Sequence, residues 1–240
     1  MPTVRALSFD LDGTLLDGSP WRAVIIRSCE EIAAALPGLD ANRLVEANAE
    51  VWERYFPEVE RSWALGMVDG RSVTAEAWRR TLVASGSDDP AIAEFATATY
   101  LRNRRDALRL FDDARDILDR IGTSLPVAVI TNGASDTQRE ALRILGIEHR
   151  FRVIVISGEV GMVKPDPGIF EIAINRLGVE RQAFWHVGDN PHVDVEGARR
   201  ARITAIWLNR SGATREPGDP TPDFEIASLT ELSGLSGRVA

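Results

Sequence analysis

The sequence contains very little of several residue types that mark common classes of protein. Its 240 residues include one cysteine, Cys29, which excludes an intramolecular disulfide and a zinc site built from cysteines. No apolar run approaches the about 20 residues that a membrane span requires. The first residues also lack a basic region followed by a long apolar stretch. We therefore expect a soluble, non-exported, cytoplasmic protein with no membrane partner.

Basic charge is also scarce. Lys and Arg together number 28 against 36 Asp and Glu, so the formal net charge is −8. An acidic chain does not attract a polyanion, and we expect no nucleic-acid partner. Lysine is almost absent, because Lys164 is the one lysine and the remaining 28 − 1 = 27 basic residues are arginines. A reaction that needs an amine side chain has this single candidate.

Short apolar runs that end at polar residues recur along the chain and predict buried strands. They span residues 4–9, 127–130, 153–156, 183–187 and 203–208. Apolar residues at spacings of three and four predict helices between them, at residues 111–121, 136–145, 168–177 and 193–201. A further short strand and helix are predicted within residues 223–235. The alternation predicts an α/β fold, a Rossmann-like and mostly parallel sheet with helices on both faces.

Residues 18–110 interrupt this alternation, because they show helical patterns and no convincing strand. The predicted helices cover residues 21–36, 42–56, 73–84 and 90–104, and the second is expected to end at Pro57. We therefore predict an α/β catalytic core, residues 1–17 and 111–240, and an inserted all-helical cap domain, residues 18–110. Four tryptophans in the insertion are expected to anchor its core, unless one or two face a ligand: Trp21, Trp52, Trp63 and Trp78.

Polar clusters follow the predicted strands, and parallel strands bring their carboxyl ends to one edge of a sheet. The clusters are Asp10-Leu11-Asp12-Gly13-Thr14, Thr131-Asn132-Gly133, Lys164-Pro165-Asp166, and Gly188-Asp189-Asn190 with Asp194. If the first strand stays extended, Asp10 and Asp12 point to the same side, where Asp189 and Asp194 would join them. Each like pair about 4 Å apart repels by about 4 kcal/mol at an effective dielectric near 20. The cluster then needs a cation, raised pKa values or greater separation, and Mg²⁺ suits its oxygen ligands best.

These residue types suit the transfer of a phosphoryl group between oxygens. Asp10 would attack phosphorus and form an aspartyl-phosphate. Asp12 would protonate the leaving oxygen and later take a proton from water. The predicted phosphate-binding groups are Gly13, the Thr131 hydroxyl, the backbone N–H groups of Asn132 and Gly133, and the Lys164 ammonium.

Taken together, the four motifs resemble those of the haloacid dehalogenase-like superfamily, in its phosphatase branch with a helical cap inserted after the first strand. The resemblance spans about residues 4–235, with the motifs in order and at family-like spacing. It implies that Asp10 is the nucleophile, Asp12 the acid/base, and Thr131 and Lys164 phosphate holders. It further implies Mg²⁺ on Asp10, the Asp12 carbonyl and Asp189, with Asp194 supporting the site.

The resemblance leaves more than one activity open. Dehalogenases of the superfamily usually lack an aspartate at the place of Asp12, because a departing halide needs no proton. Asp12 therefore favours a phosphatase acting on a small phosphorylated metabolite, with nucleoside monophosphates and sugar phosphates among the candidates. Phosphomutases keep both aspartates and are an alternative, as is a catalytically idle module that binds a phosphorylated ligand.

Overall fold

Six parallel strands form the centre of the protein, seen in a computed structural model that describes residues 4–235. The strands are β1 (Ala6–Phe9), β2 (Val127–Thr131), β3 (Val153–Ile156), β4 (Phe184–Gly188), β5 (Thr204–Leu208) and β6 (Phe224–Ile226). Their order in the sheet is β3-β2-β1-β4-β5-β6. The α/β prediction is confirmed.

The order of the strands places a crevice at the carboxyl ends of the central ones. β1 pairs with β2 on one side and with β4 on the other. From β1 the chain adds β2 and then β3 on one side of the sheet. It then crosses back and adds β4 on the other side of β1. At such a reversal the loops after neighbouring strands diverge, and ligands bind between them. The polar clusters at residues 10, 131 and 189 lie at this point.

Helices cover both faces of the sheet, as its apolar strands require. They are α5 (Asp112–Gly122), α6 (Ser135–Ile144), α7 (Ser157–Val160), α8 (Gly168–Leu177), α9 (Glu196–Arg200) and α10 (Leu232–Leu235). Successive residues of a strand point to opposite faces. Accordingly, Val129 packs in one apolar cluster with Ile117, and Ile130 packs in the other with Phe170.

The segment after β4 differs from the prediction of one helix over residues 193–201. The chain makes a π-helical turn at Pro191–Val195, and α9 follows. The Asn190 side chain accepts hydrogen bonds from the backbone N–H groups of His192 and Val193, which starts the turn. The wider turn carries Asp194 back toward the sheet, where its carboxylate accepts from Asn190 N at 3.1 Å.

Four helices lie between β1 and α5: α1 (Trp21–Ala35), α2 (Ala41–Ala64), α3 (Gly70–Ala84) and α4 (Pro90–Ala107). We call them the four-helix insertion. They have apolar clusters of their own, and the fully buried Trp78 is at the centre of one. Trp21 instead packs against the apolar cluster of the sheet. None of the helices found within residues 4–235 is both long and apolar enough to cross a membrane.

The predicted end of the second inserted helix at Pro57 is wrong, because α2 continues to Ala64. Proline removes one backbone hydrogen bond, the one to the carbonyl of Glu53. Both residues are exposed, so water reaches that carbonyl. Phe56 packs on Trp52 before the proline and on Trp63 after it, each with ring centroids 5.8 Å apart. Packing on both sides of Pro57 outweighs the local cost.

The four-helix insertion rests on the core beside β2 and β3. The carboxylate of Asp136, in the first turn of α6, accepts hydrogen bonds from Gly70 N at 2.9 Å and Arg71 N at 3.2 Å. It thereby caps the N-terminus of α3 from the other side of the interface. Ser157 Oγ donates to the carbonyl of Ala64, at the end of α2, at 2.5 Å.

Candidate active site

Three aspartates and one lysine converge at the carboxyl ends of β1 and β4. Asp10 follows β1, Asp189 follows β4, and Asp194 lies in the π-helical turn. One carboxylate oxygen of each aspartate lies within 4.8 Å of the others. Lys164 Nζ is 2.6 Å from Asp10 Oδ1 and 2.6 Å from Asp194 Oδ1. Motifs that are distant in the sequence therefore meet at one point, which we call the acidic cluster.

Burial and mutual repulsion shift the pKa values of the acidic cluster. Burial raises the pKa of Asp10 well above its usual value, Lys164 opposes this shift, and the neighbouring carboxylates add to it. Burial, followed by the charge of Asp194, raises the pKa of Asp189 to about 6. Burial alone would raise the pKa of Asp194, but Lys164 and His186 outweigh it and hold that pKa below its usual range.

Lys164 stays charged in this setting. Only 3% of its surface is exposed, and burial alone would lower its pKa. The charges of Asp10 and Asp194 outweigh burial and raise the pKa above its usual value. The ammonium therefore stands as a fixed positive charge beside the predicted nucleophile.

The acidic cluster fits a divalent cation. When all three carboxylates are ionised, the cluster and the Lys164 ammonium together carry 3 − 1 = 2 negative charges, which one such ion balances. Carboxylate oxygens are the ligands that Mg²⁺ prefers. The raised pKa values of Asp10 and Asp189 show that the site favours added positive charge.

Two glycines let the carboxylates approach the backbone closely. Gly13 has φ +82°, and a Cβ there would clash with the carboxylate of Asp189. A Cβ on Gly188 would clash with Asp194 in the same way. The hydroxyl of Thr14 also donates to Asp189 Oδ1 at 3.2 Å. The glycines of two motifs are thus required by close packing around the acidic cluster.

A buried histidine holds the far side of Asp194. His186 Nε2 lies 3.2 Å from Asp194 Oδ1, and its Nδ1 lies 2.9 Å from Ser8 Oγ on β1. Burial lowers the pKa of His186, which favours the neutral ring. Ser8, His186 and Asp194 form a chain of polar contacts that fixes the carboxylate facing Lys164.

The loop after β2 holds the loop that carries Lys164. Asn132 Oδ1 accepts from Lys164 N at 2.9 Å, and Asn132 Nδ2 donates to Lys164 O at 3.1 Å. This side chain is therefore occupied, and a phosphate-binding role would fall to the backbone of Asn132. The predicted use of the Gly133 N–H is not supported, because that group donates to Ser157 Oγ at 2.9 Å.

Asp12 differs from the prediction of an extended strand. β1 ends at Phe9, and Asp12 lies in a tight turn that bridges to Leu16. Its side chain is exposed and is outside the three-carboxylate cluster. The carboxylate of Asp12 is therefore separated from the predicted metal ligands Asp10 and Asp189. The expectation that its backbone carbonyl contributes a ligand is unaffected.

Gln138, which the sequence did not single out, joins two of the predicted site residues. Its Nε2 donates to Asp12 Oδ2 at 2.7 Å and to Thr131 Oγ1 at 2.6 Å. The residue is 2% exposed and lies on α6, just after the Thr131 motif. One signal in the sequence could have identified it: the spacing of the apolar residues in this helix places position 138 on the buried face, although the residue is polar.

The four-helix insertion contributes an aromatic side chain to this edge of the sheet. A Cβ on Gly133 would come 2.9 Å from Trp63 Cη2 and 3.1 Å from Gln138 Cδ. Trp63 is therefore packed over the loop after β2 and beside Gln138. It is half-buried, unlike Trp78.

Comparisons of the sequence and of the structure with known proteins point to the same family. Residues 4–202 match the sequence pattern of haloacid dehalogenase-like hydrolases. The phosphoserine phosphatase of Thermus thermophilus is 33% identical over 250 residues, covering 95% of this chain and 98% of that protein. The (S)-2-haloacid dehalogenase 2 of a Pseudomonas species is 27% identical, covering 98% and 96%. A solved HAD phosphatase from Thermococcus onnurineus is 27% identical with TM-score 0.67, covering 98% and 99%.

Proposed function

This chain belongs to the haloacid dehalogenase-like hydrolase family, and within that family we propose that it is a Mg²⁺-dependent phosphatase of a small phosphorylated metabolite. The observation that carries the proposal is the buried contact of Lys164 Nζ with Asp10 Oδ1, at 2.6 Å, inside the acidic cluster. The phosphoserine phosphatase among its relatives supports phosphomonoester hydrolysis.

Asp10 begins the proposed reaction as nucleophile. Its carboxylate oxygen forms a bond to phosphorus while the bond from phosphorus to the leaving oxygen breaks. Asp12 delivers a proton to that oxygen, so the alcohol leaves neutral. The phosphoryl group is then held on Asp10 as an aspartyl-phosphate. Lys164 opposes the negative charge that collects on the phosphoryl oxygens.

Water completes the reaction in a second displacement. Asp12, now ionised, takes a proton from the water as its oxygen attacks phosphorus. The bond between phosphorus and the Asp10 oxygen breaks, and inorganic phosphate leaves. Both aspartates return to their starting protonation states, so one carboxyl serves as acid and then as base. Gly13, Thr131 and Asn132 follow β1 and β2 at the same edge of the sheet as Asp10, and we propose that they bind the phosphoryl oxygens.

The metal would be held by Asp10, Asp189 and the backbone carbonyl of Asp12, with Asp194 as support through Lys164. When bound, Mg²⁺ supplies positive charge against the phosphoryl oxygens and favours the ionised form of Asp10. The raised pKa of Asp10 supports this assignment, because the nucleophile must be deprotonated to attack.

We also propose that residues 18–110 act as a cap domain over the site. The contacts of Asp136 with the start of α3 and of Ser157 with the end of α2 close the insertion against the core. Trp63 then lies over the loop after β2, beside Gln138, on the side of the site that such a cap would cover.

A haloacid dehalogenase is the rival within the family, because one relative has that name. Its reaction would need no acid for the leaving group. Asp12, with its own hydrogen-bond donor in Gln138, supports the phosphatase instead.

Phosphate release from an aryl phosphate tests the proposal. We expect turnover with Mg²⁺, loss of turnover with a chelator, and a loss of at least about 1,000-fold in Asp10→Asn, since the nucleophile is removed. Asp116→Asn is a matched control, because it makes the same substitution at an exposed position of α5 outside the acidic cluster. Equal rates in all conditions would remove the enzyme proposal and favour the idle binding module.

A separate measurement addresses the phosphomutase alternative. Incubation with a sugar phosphate, followed by phosphorus NMR, should show inorganic phosphate as the product. Isomer formation without phosphate release would replace the phosphatase by the mutase.

A further inference from the structure

The side-chain amide nitrogen of Gln138 donates hydrogen bonds to two residues of the proposed reaction. Nε2 carries two hydrogens, and its two short contacts are with Asp12 Oδ2 at 2.7 Å and Thr131 Oγ1 at 2.6 Å. A third contact, with the carbonyl of Asn132, is longer, at 3.4 Å. The side chain thus bridges Asp12 to the end of β2.

We propose that Gln138 is a positioning residue that orients Asp12 for proton transfer to the leaving group. The inference deepens the proposed phosphatase reaction and rests on it. Because Oδ2 accepts the amide hydrogen, the transferable proton of Asp12 is carried on Oδ1. In this arrangement Oδ1 is the oxygen that donates and later accepts the proton.

The surroundings of Asp12 make this contact important. Asp12 is exposed and lies in a turn, so its carboxylate has freedom to rotate. Within residues 4–235, Gln138 is the one hydrogen-bond donor that the structure gives to this carboxylate. Gln138 is itself fixed, since it is buried and its backbone N–H donates to Ala134 O at 3.1 Å within α6.

An amide also suits both halves of the reaction. It can donate both to an ionised carboxylate and to the carbonyl oxygen of a protonated one. The contact with Asp12 Oδ2 therefore persists while the proton on Oδ1 is given up and recovered. A glutamate at this place would bring a second carboxylate against Asp12 and compete for its proton.

The test compares two substrates that differ in their need for an acid. A phosphate ester of an aliphatic alcohol needs a proton on its leaving oxygen, and 2,4-dinitrophenyl phosphate does not. In Gln138→Met, which keeps the length and volume but loses the donor, we expect kcat/KM for the alkyl ester to fall by about 10–100-fold. For the dinitrophenyl ester we expect a change within about threefold. A merely structural role would lower both equally.

Three further comparisons control for non-specific effects of the substitution. Gln182→Met makes the same substitution at an exposed glutamine and should leave both values unchanged. Gln138→Asn keeps the amide but shortens its reach, and we expect the same selective loss of activity on the alkyl ester. This variant carries the test if Gln138→Met folds poorly. Because Gln138 acts through Asp12, adding Gln138→Met to Asp12→Asn should cause no further selective loss.

The outcomes separate the inference from the proposed function. Equal losses on both substrates, or a further selective loss in the double variant, would overturn the role of Gln138 alone. Failure of the wild type to release phosphate from either ester would overturn the phosphatase proposal and this inference with it.

Discussion

The burial of Asp189 should make metal binding depend on pH. Its pKa, raised to about 6 by burial and the charge of Asp194, means that it holds a proton below that pH. A divalent ion must displace this proton, so affinity should fall as pH falls, by up to about tenfold per pH unit below about pH 6. The raised pKa of Asp10 acts in the same direction and steepens the slope.

Calorimetry of Mg²⁺ binding across pH, in buffers of different ionisation enthalpy, measures the number of protons released. The wild type should release at least one proton near pH 6, and the residual binding of Asp189→Asn should release fewer. Affinity that is independent of pH in this range would contradict the assignment of Asp189 as a ligand.

Single residues differ in how far the sequence reveals them. The place of Lys164 in the site could be predicted, because a chain otherwise rich in arginine has its one lysine in the motif predicted to bind phosphate, where a compact charge is expected. The turn at Asp12 was not, because it depends on Gly13 adopting a positive φ against Asp189. Gln138 was missed for a similar reason, since its role depends on tertiary contacts with Asp12 and Thr131.

At the scale of elements, Pro57 is a local cost within α2. The proline is exposed in the helix interior, where alanine would restore a backbone hydrogen bond and remove the clash of the ring. We expect Pro57→Ala to raise the free energy of unfolding by about 1–3 kcal/mol, measured by denaturant titration.

Pro90 provides the matched control, because it begins α4, where a missing N–H costs nothing. Pro90→Ala should change stability by less than about 1 kcal/mol. A neutral or destabilising Pro57→Ala would show that the proline itself is required for the packing of Phe56 and Trp63.

The contact between α6 and α3 connects the insertion to the core. Asp136→Ala removes the carboxylate that accepts from Gly70 N and Arg71 N, and leaves the start of α3 uncapped from that side. We expect a loss of about 0.5–2 kcal/mol in the free energy of unfolding. Asp88→Ala, at an exposed position before α4, should have a smaller effect. Equal effects would indicate that Asp136 does not fasten the insertion.

Periodicity predicted most elements because the strands are buried and the helices amphipathic. It failed at α2, where aromatic packing across Pro57 outweighs a local stop signal. It also missed the π-helical turn after β4, which the Asn190 side chain starts and which brings Asp194 to Lys164. Both departures arise from side-chain contacts that no spacing rule contains.

At the scale of the whole molecule, strand order determines where chemistry occurs. β1 lies between β2 and β4, so the residues after these strands meet although they are distant in sequence. The four-helix insertion, with apolar clusters of its own, rests on the β2 side of this edge through α6 and α7. This arrangement combines an acidic cluster in the core with a separate helical unit that rests on the same edge of the sheet.

The central claim is that Asp10 carries the phosphoryl group between two displacements. Rapid acid quenching of the enzyme during turnover of a phosphate ester, followed by peptide mass spectrometry, tests it directly. We predict a phosphoryl adduct on the peptide that contains Asp10, formed with Mg²⁺ and absent in Asp10→Asn. Sustained phosphate release with no adduct on that peptide, or an adduct that persists in Asp10→Asn, would contradict the account.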